Sequence, residues 1–307
     1  MAKPPVIDPL SVPRRARARP GAGQGGRGCW AWWSWPHLLG LDASVVALVW
    51  QDWWSRSTHT PLASGERLVL GLGVWLIYLA DRLADVARGR PEDAGTARHL
   101  FAAAWRRRLS WLGAVVAGSL VMLAPWALPA GEFRGGMWLL GVVGVYFWAI
   151  HRGRSTRWTR RLPKEAVVGG TFAVGTAFFA LGRGPLAAGP LAAGVVLFGV
   201  VCFLNCALIT AWERSLPDRR DPASLLNAFP RLVDGGLGAA CWLTAGLAFV
   251  VALAWHALVL VPVVPAAAAL ACLDRERHRL PADALRCLAD GVLLTPCVCA
   301  LCAAVYQ

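Results

Sequence analysis

The sequence predicts an all-α integral membrane protein: a bundle of about nine transmembrane helices with its N-terminus in the cytoplasm. Three observations carry this. Of 307 residues, 57% are hydrophobic and 16% charged, with a mean hydropathy of +0.49. Soluble domains average roughly 45–50% apolar and about 25% charged, and a soluble globule of this length could not hide so much apolar surface. The apolar residues run continuously rather than alternating, and lipid permits only helices or closed barrels, so helices are expected. Finally, the basic residues fall on alternate loops, as the positive-inside rule requires.

Residues 1–35 form a separate segment. Val12 to Gly28 reads VPRRARARPGAGQGGRG. It lacks the apolar centre of a signal peptide, so a disordered basic cytoplasmic tail is expected. Residues 36–307 read as one polytopic membrane domain. Span one covers 36–54. Trp30, Trp32, Trp33 and Trp35 before it, and Trp50, Trp53 and Trp54 at its end, fit interfacial belts. Span two, 66–87, closes on Asp81 and Asp85. Spans three to five are 109–128, 135–151 and 164–182. Span six, 186–212, ends near Asn205 and Glu213. The stretch 234–273 is too long for one helix crossing ~30 Å, so it divides at Trp255-His256 into 234–254 and 257–273. The ninth span is 285–305.

With the N-terminus inside and each span reversing direction, 27 of the 31 Lys and Arg residues are cytoplasmic. The four outer ones are Arg56, Arg67, Arg134 and Arg183. The net charge of +13 and pI of 10.2 would suggest nucleic acid in a soluble protein. Here the same excess reports loop orientation, so the bilayer and no nucleic acid is the expected partner. An inner (cell) membrane location with a cytoplasm-facing site follows. Nine cysteines lie mostly inside apolar runs. No paired CxxC array has metal spacing; Cys299 and Cys302 form one CxxC with no nearby His, so buried small hydrophobes are expected.

Ionisable groups at membrane depth are expensive and functional by default. Asp42, Asp81, Asp85, Asn205, Glu213, Asp234 and Asp290 all fall near the cytoplasmic ends of their spans. Asp81 and Asp85 are spaced i,i+4, about 40° apart on one helix face. Two neighbouring carboxylates call for a cation, and Mg²⁺ favours one or two carboxylates with phosphate oxygens. Asn205 and Glu213, i,i+8, can face the same cavity. Metal ligands are therefore expected at Asp81, Asp85, Asn205 and Glu213, with Asp218 and Asp221 in the loop beyond. The competing reading pairs Asp81 and Asp85 with Arg82 and Arg88 at a helix end. Arg88, Arg152, Arg154 and Lys164 are candidates to hold diphosphate oxygens.

The run Ile77-Tyr78-Leu79-Ala80-Asp81-Arg82-Leu83-Ala84-Asp85 resembles the first aspartate-rich motif of the UbiA-type intramembrane prenyltransferases, N-D-x-x-D-R-x-x-D, in its DRxxD half. The helix count, the topology and the second polar cluster at the end of span six are similar too, over residues 36–305. Tyr146 resembles the Tyr of the family's Y-x-x-x-K element. This sequence departs from the family at Ile77 and Tyr78, at Ile209 between Asn205 and Glu213, and at Ile150 in place of the Lys.

The resemblance implies a Mg²⁺-dependent enzyme. It would ionise an isoprenoid diphosphate and transfer the prenyl group to a lipophilic or aromatic acceptor. Asp81, Asp85 and Glu213 would be catalytic. Tyr78, Arg82, Arg88, Tyr146, Arg152, Lys164 and Asn205 would bind substrate. Trp75, Phe147, Phe172 and Phe203 could stabilise an allylic cation. Two alternatives stay open: a terpene cyclase that ionises the same diphosphate without an acceptor, or an inactive scaffold. A transporter would show inverted repeats and broken mid-membrane helices, which the sequence does not suggest.

Overall fold

The computed structural model describes residues 35–88, 97–151, 164–183, 189–213 and 236–305, and among these every regular element is a helix. A short α1 (Trp35–Leu39) turns at Gly40 into α2 (Leu41–Ser57), followed by α3 (Ser64–Arg88). After α4 (Ala97–Ala104) come α5 (Arg106–Ala127), α6 (Ala130–His151), α7 (Lys164–Arg183) and α8 (Gly189–Glu213). The series closes with α9 (Gly236–Trp255), α10 (Val263–Glu276), α11 (Ala282–Val292) and α12 (Thr295–Val305). Residues from Pro36 onward cluster as one unit.

Among the described residues, five stretches are long and apolar enough to cross a membrane: Arg106–Ala127, Lys164–Arg183, Gly189–Glu213, Gly236–Trp255 and Leu258–Arg279. A sixth arises if the bent pair α11–α12 counts as one span. The other three expected spans are helical but fall outside that set. At 17 residues α2 is short. The α3 helix carries Glu66, Arg67, Asp81, Arg82, Asp85 and Arg88. The divided 234–273 stretch is a helical hairpin. After Trp255 the chain takes a left-handed residue at His256 (φ 48°) and a 3-10 turn at Leu258–Leu260, then enters α10.

The ninth span departs from expectation. It is bent by 49° at Leu293–Leu294 rather than continuous. The break is legible afterwards in Gly291 and in Thr295-Pro296, where Pro opens α12 at a position whose N–H has no helical partner. A carbonyl freed by such a break must be bonded again inside lipid. Trp50 Nε1 donates to Leu293 O at 2.7 Å, and Thr295 Oγ1 donates to Pro262 O at 2.9 Å.

The same tryptophan corrects the interfacial reading of span one. Trp50 and Trp54 are fully buried, because their i,i+4 spacing turns both toward α7 and α8. Trp50 stacks on Phe198 at 3.7 Å between centroids, and Trp54 Nε1 donates to Thr176 Oγ1 at 3.2 Å. Trp53 Nε1 donates to Val259 O at 3.0 Å. These rings centre a core built from α2, α7, α8, α9 and α10.

Where α7 crosses α8 the backbones meet. A Cβ on Gly169 would lie 2.6 Å from Phe203 N and 2.9 Å from Gly199 O. By contrast α5 and α6 turn large apolar side chains outward: Trp126 is 88% exposed and Trp138 79%. Outward apolar faces of this extent suit lipid rather than water.

Polar ties mark two opposite ends of the bundle. At one, Arg183 ends α7 and pairs with buried Glu66 at the start of α3 and with Glu132 at the start of α6, while Nη1 reaches Pro61 O at 3.1 Å. At the other end, the start of α2, the last turns of α3, the end of α8 and the start of α11 come together.

Candidate functional site

The second of these ends holds the candidate site. Its first element is the corner between α1 and α2. Gly40 adopts φ 74°, and a Cβ there would lie 3.3 Å from Arg82 Cζ. Glycine answers both demands: the left-handed backbone and the close approach of the guanidinium. Arg82 is buried and donates from Nη1 to Leu38 O (2.6 Å) and from Nη2 to His37 O (3.0 Å). It thereby bonds carbonyls in the last turn of α1, where His37 O also accepts from Gly40 N at 3.2 Å. Trp75, two turns earlier on the same face of α3, donates from Nε1 to Leu39 O at 3.0 Å.

This corner presents His37 and Asp42 to α11. His37 Nδ1 lies 2.8 Å from Asp42 Oδ2 and 4.0 Å from Asp290 Oδ2. Asp42 Oδ1 accepts from Ala43 N at 2.9 Å, in the first turn of α2 where a carboxylate suits the helix dipole. Asn205 Nδ2, from α8, donates to Asp290 Oδ1 at 3.3 Å. Arg286, one turn before Asp290, donates from Nη1 to Glu213 Oε1 at 2.6 Å. Five helices thus supply two carboxylates, an imidazole, an amide and two guanidinium groups at one level, with the Glu213 carboxylate at its edge.

Of the residues expected from the sequence, Tyr78, Arg82, Asn205 and Glu213 gather here. Tyr78 lies one turn before Arg82, within electrostatic range of Asp42 and Asp290. The expected metal set does not close on one ion. Among the described residues, no group of three or more His, Cys, Asp or Glu side chains within joint ligand range contains Asp81, Asp85 or Glu213. Asp81 is exposed, Asp85 is half-buried, and Glu213 is bonded to Arg286. The group that does assemble is His37, Asp42 and Asp290, whose ligand atoms lie within 4.8 Å of one another.

Comparison of the chain with protein-family models, curated proteins and solved structures finds no match.

Tyr146 is half-buried near the end of α6 and Lys164 opens α7. Arg152, Arg154, Asp218, Asp221 and Asp234, and the side chains of Arg88 and Phe147, lie outside the described residues. Phe172 and Phe203 pack against the core. Sequence reasoning saw Asp42 and Asp290 as acids at depth but left them out of the ligand set. It missed His37 and Arg286, which belong to no motif. One more buried acid, Asp274, is satisfied structurally. It accepts from Trp212 Nε1 at 3.0 Å and Arg277 Nη1 at 3.1 Å, tying α8 to α10.

Proposed function

We propose that this chain is a multi-pass membrane enzyme that ionises an isoprenoid diphosphate and transfers the prenyl group to a lipophilic acceptor. The reading includes nine spans, a cytoplasmic N-terminus and a site open to the cytoplasm. The observation that carries it is the convergence of Asp42, Asp290, Arg82, Arg286 and Asn205 from four helices at one end of an apolar bundle. Such a layer suits a substrate with an anionic head and a hydrocarbon tail. The DRxxD resemblance at Asp81–Asp85 and the 27 of 31 basic residues on one side support the same reading.

In this mechanism the guanidinium groups of Arg82 and Arg286 face the diphosphate with the N–H donors left over from their protein bonds. They stabilise charge as the C–O bond to the leaving diphosphate breaks. The apolar walls exclude water from the allylic cation, so that the acceptor and not water captures it. Capture by the acceptor's nucleophilic atom forms the new bond, and the acceptor's displaced proton leaves to solvent. Asp81, Asp85 and Glu213 do not share one ligand group among the described residues, so charge stabilisation here falls to Arg82 and Arg286.

Incubation of proteoliposomes with labelled geranyl, farnesyl and geranylgeranyl diphosphates, with and without aromatic acceptors, tests the proposal. A prenylated acceptor supports it. Hydrocarbon or alcohol made without acceptor would instead indicate the cyclase. Unchanged diphosphate in every reaction would favour the scaffold.

A further inference from the structure

We infer that His37, Asp42 and Asp290, with the side-chain oxygen of Asn205, form a binding site for one divalent first-row transition ion. This deepens the diphosphate reading by naming the cation, but it rests on side-chain geometry that stands without substrate.

The distances suit an ion. Octahedral coordination with bonds of roughly 2.1 Å sets neighbouring ligand atoms about 3.0 Å apart and opposite ones about 4.2 Å apart. His37 Nδ1 is 2.8 Å from Asp42 Oδ2, near the spacing of neighbouring ligands, and 4.0 Å from Asp290 Oδ2, near that of opposite ones. The three side chains come from three separate elements, α1, α2 and α11. Arg82 fixes the α1 corner by bonding the carbonyls of His37 and Leu38, so His37 is held in register with Asp42.

A second observation is independent of the acids. Asn205 is 4% exposed, and its Oδ1 is buried without a hydrogen-bond partner among the described residues. The same amide grips Asp290 through Nδ2. A buried acceptor with no donor is costly, and such atoms point to a missing partner. A cation beside Asp290 supplies that partner.

The donor set selects the ion. Carboxylate and amide oxygens suit Mg²⁺, Ca²⁺ or Mn²⁺ and an imidazole suits Fe²⁺ or Zn²⁺, so the mixed set turns preference from Mg²⁺ and Ca²⁺ toward a first-row transition ion. Binding replaces the hydrogen between His37 Nδ1 and Asp42 Oδ2, so the proton on that pair leaves to solvent. Two negative carboxylates with one divalent ion make a neutral centre. That leaves Arg82, and the donors of Arg286 not bonded to Glu213, to attract an anionic head group.

The test uses the full chain in detergent, stripped with chelator and titrated with Mn²⁺. Manganese is chosen because the nine cysteines bind it poorly. Electron paramagnetic resonance of free Mn²⁺ should show one equivalent bound per chain, displaced by Mg²⁺ only at tenfold or greater excess. Affinity should fall at least tenfold in Asp290→Asn and His37→Gln and stay within twofold in Asp81→Asn and Asp85→Asn. In the wild type, manganese anomalous scattering should place the ion between His37, Asp42 and Asp290, whatever the fate of the variants. No bound Mn²⁺, an anomalous peak elsewhere, or loss of the ion in Asp81→Asn or Asp85→Asn instead would overturn the inference. Mn²⁺ binding is read without any prenyl substrate, so failure of the enzyme proposal would leave this result standing, and the reverse.

Discussion

Arg286 and Glu213 show how one pairing redirects a residue's role. Glu213 was expected as a metal ligand, yet its carboxylate accepts from Arg286 Nη1 at 2.6 Å. Removing one partner leaves a half-buried charge without its counter-charge, whereas replacing both by apolar groups can be nearly neutral. Arg286→Met should therefore lower stability in detergent by roughly 1.5–3 kcal/mol. Adding Glu213→Leu should restore most of the loss, measured by thermal unfolding of the two variants side by side. Additive losses would mean the pair is not coupled. At this scale the sequence was half legible. Asp42 and Asp290 stood out because acids are rare in apolar runs. His37 and Arg286 did not, since a histidine beside a Trp-rich segment and one arginine in a basic loop have many ordinary reasons to exist. Only the fold brings residues 37 and 290 together.

Among the helices, glycine separates close crossings from open faces. A methyl group on Gly169 would collide with the α8 backbone at 2.6 Å, while one on Gly170 meets nothing within 4 Å. Gly169→Ala should destabilise by about 1–3 kcal/mol, as overpacking does. Gly170→Ala should be neutral or slightly stabilising, because Ala is the better helix former. Urea titration of both variants checks the contrast, and equal effects would contradict the crossing. The bend between α11 and α12 was not read from the sequence, because hydropathy averages over a window and passes across a two-residue break. Its signature is the indole of Trp50 on the carbonyl of Leu293. Trp50→Phe keeps the ring on Phe198 but removes the donor. It should cost roughly 1–3 kcal/mol by leaving a buried carbonyl unsatisfied, and hydrogen exchange should rise locally around residues 293–295.

For the molecule as a whole, helical class and apolar extent were legible from composition and run length, quantities that add along the chain. Which tryptophans face lipid was not. Trp50 and Trp54 went inward while Trp126 and Trp138 went outward. That division depends on partners distant in sequence. The end opposite the site is held by Arg183, which joins α3, α6 and α7 through Glu66 and Glu132. Arg183→Met strands the buried Glu66 carboxylate and should cost about 3 kcal/mol. Limited proteolysis should then cut sooner in the connections beside this cluster, between α2 and α3 and between α5 and α6. The proposed topology puts the C-terminus outside, so alkaline phosphatase fused after Gln307 should be active and a green fluorescent fusion dark. The most direct measurement is pyrophosphate release from farnesyl and geranylgeranyl diphosphate by the reconstituted protein, compared with Asp290→Asn. We expect time-dependent release in the wild type and a loss of at least 100-fold in the variant, about 2.7 kcal/mol of barrier. Equal release from both, or none from either, would contradict a diphosphate site at this end of the bundle.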